Sequence, residues 1–387
     1  MSLFYGISQP LNINSSYGPY SQLDFNVKSF PGRQIQANSF RISGRVKVEK
    51  TIFSAPANFV AVTPADSIMF DPFAGVACCW KNISTSVNDR IIENVTNIGR
   101  LTSMRNQAQY TLEQITASSH SATELKGLGN GVFLASAGAD NATAPGAPFS
   151  FKPMISINNS DTDLPQSKFS IIKIMTTLGS PLEALYCSAL QPPIVNNVND
   201  PNLITGLNFT LYDVQLNWYE TMEVVPIPRT VFKTNFLTTQ TLNVLSATLS
   251  VSTSTPYSAL YASFIKQADR NKIYRNDNHC DYVPDLTRLE FTTNGVSDPI
   301  KYAIGAGNSS VYQDCALNYW NALEGEAKNS VMNKFLSESL TFGIGCKFEA
   351  SINDRLSINL QINQNTLHNP NVNPSDVFIY TSGFVEV

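Results

Sequence analysis

Asn217–Thr234, NWYETMEVVPIPRTVFKT, is a stop between two similar blocks of sequence. Upstream of it, from Leu207 to Trp218, apolar and polar residues alternate; from Thr241 to Val251 the same alternation starts again. Pro226 and Pro228 have no N–H to give to a sheet ladder, so they end a strand and hold the backbone extended. A short stiff connector between two strand-rich blocks of comparable length predicts two β-sandwiches side by side, the first over 38–223 and the second over 235–387. Residues 224–234 are the linker. Residues 1–37, with scattered Tyr, Gly, Pro and Asn, read as an irregular arm that orders only against neighbours.

Within the first block, Phe40, Ile42, Gly44, Val46 and Val48 alternate with Arg41, Ser43, Arg45, Lys47 and Glu49, the period of a half-buried strand. Ile68–Phe70 is a short apolar run. Gly75–Val87 reads as a strand that turns at Asn88-Asp89 and returns over Arg90–Val95. Leu101, Met104, Ala108, Leu112 and Ile115 then fall on one helical face. Residues 116–150 and 180–202 read as long loops, with a strand over Lys168–Leu178 between them. Leu207, Phe209 and Leu211 share one parity and Val214, Leu216 and Trp218 the other, which predicts a β-bulge near Tyr212-Asp213.

The second block follows the same order. Leu245–Val251 alternates, Tyr261–Ile265 is an apolar patch, and Arg288–Thr292 runs into the hairpin dipeptide Asn294-Gly295. Tyr312, Cys315, Tyr319 and Leu323 make a helical stripe. Leu340–Phe348, Leu356–Ile362, Val377–Tyr380 and Phe384–Val387 read as the closing strands. The fold class is all-β, with one short helix after a central hairpin in each block. The repetition is of element order and not of residues.

At 387 residues the chain has room for two cores, since domains hold ~100–200 residues each. Charged residues make up 14%, well below the ~25% of an average soluble protein. Asn, Ser, Thr and Gln supply the polarity, which suits a surface covered by copies of the same chain. Net charge is −4, and Lys28 is the one cation of the first thirty residues. Phosphate contact needs clustered cations, so no direct nucleic-acid binding is expected. The start, MSLFYGISQP, lacks a signal-peptide pattern, and no apolar run reaches membrane-spanning length. The sequons at Asn82, Asn94, Asn141, Asn208 and Asn308 are therefore expected to carry no glycan.

No constellation for catalysis stands out. His120, His279 and His368 lie in expected loops, and no G-x-S-x-G is present. Asp213, Glu220 and Glu223 are the best carboxylates for a glycosidase-like pair, but fit a hydrogen-bonded or solvated role near the linker better. YRNDNHCDY (274–282) with Asp285 offers oxygen ligands without calcium-loop spacing, and GLGNGVF (127–133) lacks the Lys-Ser/Thr of a phosphate loop. The six cysteines include no CxxC, so reduced thiols are expected. Trp80, Trp218 and Trp320 fit core positions, or a sugar-stacking platform if exposed. We assign no catalytic, cofactor or metal residue.

SFRISGRVKVEKT (39–51), GVACCWKNISTSVNDRIIENVTNIGRLTSM (75–104), LNFTLYDVQLNWYET (207–221) and LTRLEFTTNGV (286–296) together resemble the double jelly-roll major capsid proteins of tailless icosahedral DNA viruses, the adenovirus, tectivirus, virophage and polinton-like lineage. The resemblance covers roughly residues 38–387, in element order and size. It implies two tandem eight-stranded antiparallel jelly rolls, a homotrimer of pseudo-hexagonal outline, and an icosahedral shell in the virion assembled inside a host cell. Implied partners are further copies of the chain, penton or minor cement proteins, and an internal membrane beneath the shell. A penton or spike protein of such a virus, or a two-domain carbohydrate-binding sandwich, are the alternative readings.

Overall fold

The computed structural model describes residues 3–63, 66–71, 73–109, 146–159, 162–187, 200–223, 231–252, 256–278, 286–293, 296–302, 318–323, 343–352, 355–362 and 370–386. These residues are mostly β, in several sheets.

Eight strands of the second half form two four-stranded arrays. In chain order they are Val231–Leu242, Ser246–Val251, Tyr257–Lys266, Leu286–Thr293, Val296–Tyr302, Ile344–Ile352, Leu356–Ile362 and Ser375–Glu386. The first, eighth, third and sixth lie side by side, as do the second, seventh, fourth and fifth. Both arrays supply one core: Leu260, Phe264, Ile344 and Ile379 come from one, Leu249, Phe291, Ile358 and Leu360 from the other.

The first half repeats this order with Phe4–Ser8, Gln22–Lys28, Arg41–Ile52, Trp80–Val87, Arg90–Thr96, Ala147–Phe151, Ile171–Leu178 and Ile204–Met222. Phe4–Ser8 pairs with Ile204–Met222, which pairs with Arg41–Ile52, which pairs with Ala147–Phe151. Gln22–Lys28, Ile171–Leu178, Trp80–Val87 and Arg90–Thr96 form the facing array. Short strands at Arg33–Ile35, Ala55–Ala61, Ile68–Phe70, Leu164–Pro165 and Leu185–Cys187 are added around this frame.

Several expectations change. Residues 1–37 are not an irregular arm, since they contain two strands of the frame. Leu23, Phe25 and Val27 alternate into the core, and Phe4–Ser8 lies over Trp218. Arg41–Ile52, expected as the opening strand, is the third of its half and corresponds to Tyr257–Lys266. Gly75–Cys79 is a wholly buried 3-10 turn and not the start of the strand. The helix runs over Ile98–Gln109, starting earlier than the Leu101 stripe, and its expected end lies outside the described residues. Ala147–Phe151, expected as loop, is a strand, and Pro181–Ala184 is a one-turn helix closed by a Ser180/Glu183 capping box. Val231–Thr234, assigned to the linker, already belongs to a strand, and residues 243–245 break the expected 241–251 run in two. Val377–Tyr380 and Phe384–Val387 belong to one strand, Ser375–Glu386. Of the second expected helix, 318–322 is helical; its earlier part lies outside the described residues.

Other expectations hold. The ladder of Ile204–Met222 slips between Tyr212 and Gln215, where Asp213 has φ 51°, the predicted bulge. Asn88 and Asp89, at φ 49° and 65°, make a hairpin turn of the kind that needs two left-handed residues. Thr293 pairs with Val296 across the expected Asn-Gly hairpin.

Gly6 is where the first strand closes onto the core. A Cβ there would stand 2.1 Å from Cε2 of Trp218, a core side chain whose indole N–H donates to Glu220 Oε1 at 2.8 Å. Gly6→Ala is expected to destabilise by about 1–3 kcal/mol through overpacking, seen as a lower Tm in calorimetry; an unchanged Tm would show that Phe4–Ser8 is not seated on Trp218.

Candidate functional site: the polar seam between the two halves

The two halves share a sheet. The strand Arg90–Thr96 of the first half lies beside Val231–Leu242 of the second, through a parallel contact of Asn94 with Phe236. An eight-stranded sheet therefore runs from Gln22–Lys28 to Ile344–Ile352 across the whole chain. Beneath this join, Tyr261 and Tyr380 stack at 5.8 Å and 18°, and the Tyr261 hydroxyl is 3.0 Å from Asn235 Oδ1. Both tyrosines belong to the core cluster of the first half, as do Tyr319, Trp320 and Leu323 of the second-half helix.

The helix Ile98–Gln109 carries the most demanding group of the seam. Asn97, at φ 54°, turns the chain out of its strand, and its carbonyl accepts from the Tyr380 hydroxyl at 3.3 Å. Three residues on, Arg100 is 2% exposed. Its guanidinium donates to Ser263 Oγ at 3.3 Å and to the Asp277 carbonyl, and lies 4.7 Å from the centre of the Phe378 ring. All three partners belong to the second half. Arg270 approaches the same ring at 5.5 Å and forms a 2.6 Å ion pair with Asp376. A buried cation needs this kind of company, because desolvation without partners costs several kcal/mol.

Residues 270–278 form the second-half wall of the seam. Asn276 Nδ2 donates to Asp71 Oδ2 at 2.7 Å, while Asp71 Oδ1 accepts from the N–H groups of Phe73 and Ala74. Asn278 Nδ2 donates to the Glu183 carbonyl at 2.6 Å, and the Cys187 N–H donates to the Ile273 carbonyl at 2.7 Å. Gly99 allows this approach, since a Cβ there would meet Asn278 Oδ1 at 2.6 Å. Asn97, Arg100, Glu183, Arg270, Asp277, Asn278 and Phe378 enclose a cavity of about 20 Å³, room for about one water molecule.

Two carboxyls near the join are pushed up by burial. Asp277, whose carboxylate accepts from the Asn271 N–H, rises to about 6. Glu93, on the strand that meets Val231–Leu242, rises to about 7 although it accepts from the N–H and hydroxyl of Ser156 at 2.7 and 2.9 Å and feels Arg105.

The sequence candidates fall elsewhere. Glu220 is buried and engaged by Arg33 at 3.0 Å and by Trp218. Glu223 accepts from Ser167, and Asp213 is exposed at the bulge. The three are separate structural groups. His120, His279, His368, residues 127–133 and Asp285 lie outside the described residues, as do 279–282 of the 274–282 segment. Trp80, Trp218 and Trp320 are all buried, at 1, 4 and 1% exposure, so none offers a sugar platform. Among the described residues no cluster of His, Cys, Asp and Glu has a metal-holding arrangement, and no helix is long and apolar enough to cross a membrane. The helix Ile98–Gln109 is buried inside the chain: Arg100, Thr102, Ser103, Arg105 and Asn106 are as covered as Leu101 and Met104.

The fold is found in solved structures. The Faustovirus major capsid protein superposes with a TM-score of 0.63 over 100% of this chain and 90% of its own, at 8% identity. A chain of the Sputnik virophage structure gives 0.58 over 100% and 86%, at 14% identity, and the mavirus major capsid protein 0.52 over 99% and 90%, at 12%. This is the fold of viral major capsid proteins. The likeness read from the sequence holds at that level and extends over residues 1–37 as well. No protein-family model and no curated protein sequence matches the chain, so the relation is carried by backbone arrangement alone.

Raised carboxyl pKa values fix a sign for pH dependence. A folded carboxyl that holds its proton more tightly than the unfolded one loses stability as pH rises between the two values. For Glu93 that window runs from 4.5 to about 7. Thermal melts are expected to fall across it, and Glu93→Gln, which keeps an acceptor for Ser156, is expected to flatten the fall and raise Tm at pH 8. An identical pH profile in the variant would show that Glu93 does not titrate with folding. Arg100→Met is expected to cost about 2–4 kcal/mol from the lost charged hydrogen bonds and ring contact, measured by denaturant unfolding; a loss under 1 kcal/mol would mean that the seam does not depend on it.

Proposed function

We propose that this chain is a major capsid protein: a structural protein that acts by assembly, trimerises into pseudo-hexagonal capsomers and tiles an icosahedral shell in the virion. The observation that carries the reading is the strand order. Each half arranges eight strands as first-eighth-third-sixth and second-seventh-fourth-fifth, the order of a jelly roll, in a chain that superposes along its whole length on major capsid proteins. We read the first jelly roll as residues 3–223 and the second as 231–386, the first taking in the segment that the sequence alone set apart as an arm.

The seam supports a building block more than a binding protein. Two sandwiches that shared only a linker would hinge, whereas a common sheet and a buried arginine hold them as one broad body. Three such bodies around an axis give six barrels, a hexagonal outline from a three-fold assembly. Neighbouring copies of the chain are the main partners, with penton or minor cement proteins and an underlying membrane as further ones. The charge balance and the absence of a basic cluster argue against direct contact with the genome. The carbohydrate-binding reading loses its platform with the three tryptophans in the core, and a penton or spike role differs in copy number.

Light scattering on the purified protein is expected to give a trimer of 42.5 kDa chains, about 128 kDa as three-fold closure requires. Electron microscopy at high protein concentration is expected to show curved hexagonal arrays or particles. A monodisperse monomer that forms no array would overturn the proposal.

A further inference from the structure

From Met1 to Leu23 the sequence contains no Asp, Glu, Lys, Arg or His. This stretch nevertheless holds Leu3, Tyr5, Ile7, Leu11, Ile13 and Tyr20, each more than half exposed. Six large apolar side chains on one uncharged segment are more than scattered surface hydrophobics. Phe4–Ser8 presents the pattern most plainly: Tyr5 and Ile7, 55 and 54% exposed, share the outward face of a strand that pairs along one edge with Ile204–Met222.

Edge strands usually carry a device against pairing with other chains, such as a charge, a proline or a polar outward face. Most other edge strands here have one; the exceptions, Ile68–Phe70 and Leu185–Cys187, pair with each other and are largely buried. Gln22–Lys28 carries Asp24 and Lys28, and Ile344–Ile352 carries Lys347 and Glu349. Ala55–Ala61, Ala147–Phe151 and Val296–Tyr302 each contain proline, and Ser246–Val251 turns Ser246, Thr248 and Ser250 outward. Among the described residues, Phe4–Ser8 is an edge strand with none of these.

We infer that Phe4–Ser8 is a contact surface for the same strand of a second copy of this chain, joined antiparallel and centred on Gly6. That register sets Tyr5 of each strand opposite Ile7 of the other, two aromatic–β-branched pairs on the exposed face. The segment is neutral, so copies meet without repulsion, and it offers nothing to a charged partner. An antiparallel self-pair is two-fold symmetric, which a three-fold ring cannot supply within itself. The contact therefore joins neighbouring capsomers, an assignment that rests on the trimer proposed above. A five-residue strand pair is far below the area of a stable dimer, as suits a lattice contact that gains strength by repetition.

The test compares two double variants of the full chain. Tyr5→Lys/Ile7→Lys places like charges across both pairs and is expected to abolish arrays and particles while light scattering still shows the trimer. Tyr5→Lys/Ile7→Glu places opposite charges across both pairs and is expected to restore assembly. Equal behaviour of the two variants would overturn self-pairing, and loss of the trimer in the first alone would place the surface inside the capsomer and overturn the lattice contact. A wild-type protein that is no trimer fails the shell reading separately, and the difference between the two variants in dimer formation then still reports on the strand pair. As a measurement independent of charge, Tyr5→Cys/Ile7→Cys is expected to give disulfide-linked chain dimers under mild oxidation on a non-reducing gel; their absence counts against the pairing.

Discussion

A guanidinium taken out of water must find its compensation inside the fold, and Arg100 finds it across the boundary between the two halves. Ser263, the Asp277 carbonyl and the Phe378 ring all belong to the second half, while Arg100 stands on the first helix of the first. The two sandwiches are thus bound by a group whose burial in either one alone would be strongly unfavourable. Other features of the seam follow from that placement. Residues 270–278 must lie against the first half to bring the Asp277 carbonyl to Arg100. Asn276 and Asn278 then reach Asp71 and Glu183, and Gly99 must lack a side chain for Asn278 to approach.

The shared sheet and the polar seam do different jobs. Backbone pairing at Asn94 and Phe236 sets the strands of the halves side by side but leaves rotation about that contact weakly restrained. Hydrogen bonds from a planar guanidinium are directional, and those of Arg100 engage residues other than the paired ones. Together they leave one orientation. The apolar part, with Tyr319, Trp320 and Tyr380 in the core of the first half, contributes stability without direction.

Much of this was legible locally and little of it globally. Strands with one polar face announce themselves, as Arg41–Ile52 and Leu356–Ile362 do, and the Asp213 bulge appears as a change of parity. Phe4–Ser8 does not, because FYGIS has a large apolar residue on both faces and no charge on either, and so shows no clear alternation. Leu101, Met104 and Ala108 mark the helix Ile98–Gln109, but the sequence does not show that its polar side is covered as well. Arg100 is buried against the second half, while Asn106 donates to the Phe73 carbonyl within the first, and no period within the helix encodes either. The 3-10 turn Gly75–Cys79 was read as strand for the related reason that a fully buried run has no polar face to reveal its period. Strand order is the largest omission: pairing of a first strand with an eighth some two hundred residues away is a tertiary fact.

Low charge content links the interior to the proposed assembly. Several of the chain's few charges are spent inside, with Arg100, Asp277, Asp376 and Glu93 holding the seam and its flank. What remains for the surface is largely amide, hydroxyl and scattered apolar groups. Such a surface dissolves less well as a monomer than a highly charged one, but it can be covered by neighbours without desolvating ions, the step that makes polar contacts weak. A protein used in many copies, each contact small, benefits twice. Its contacts involve little loss of ion hydration, and the rigid seam ensures that forming one contact places the next in register.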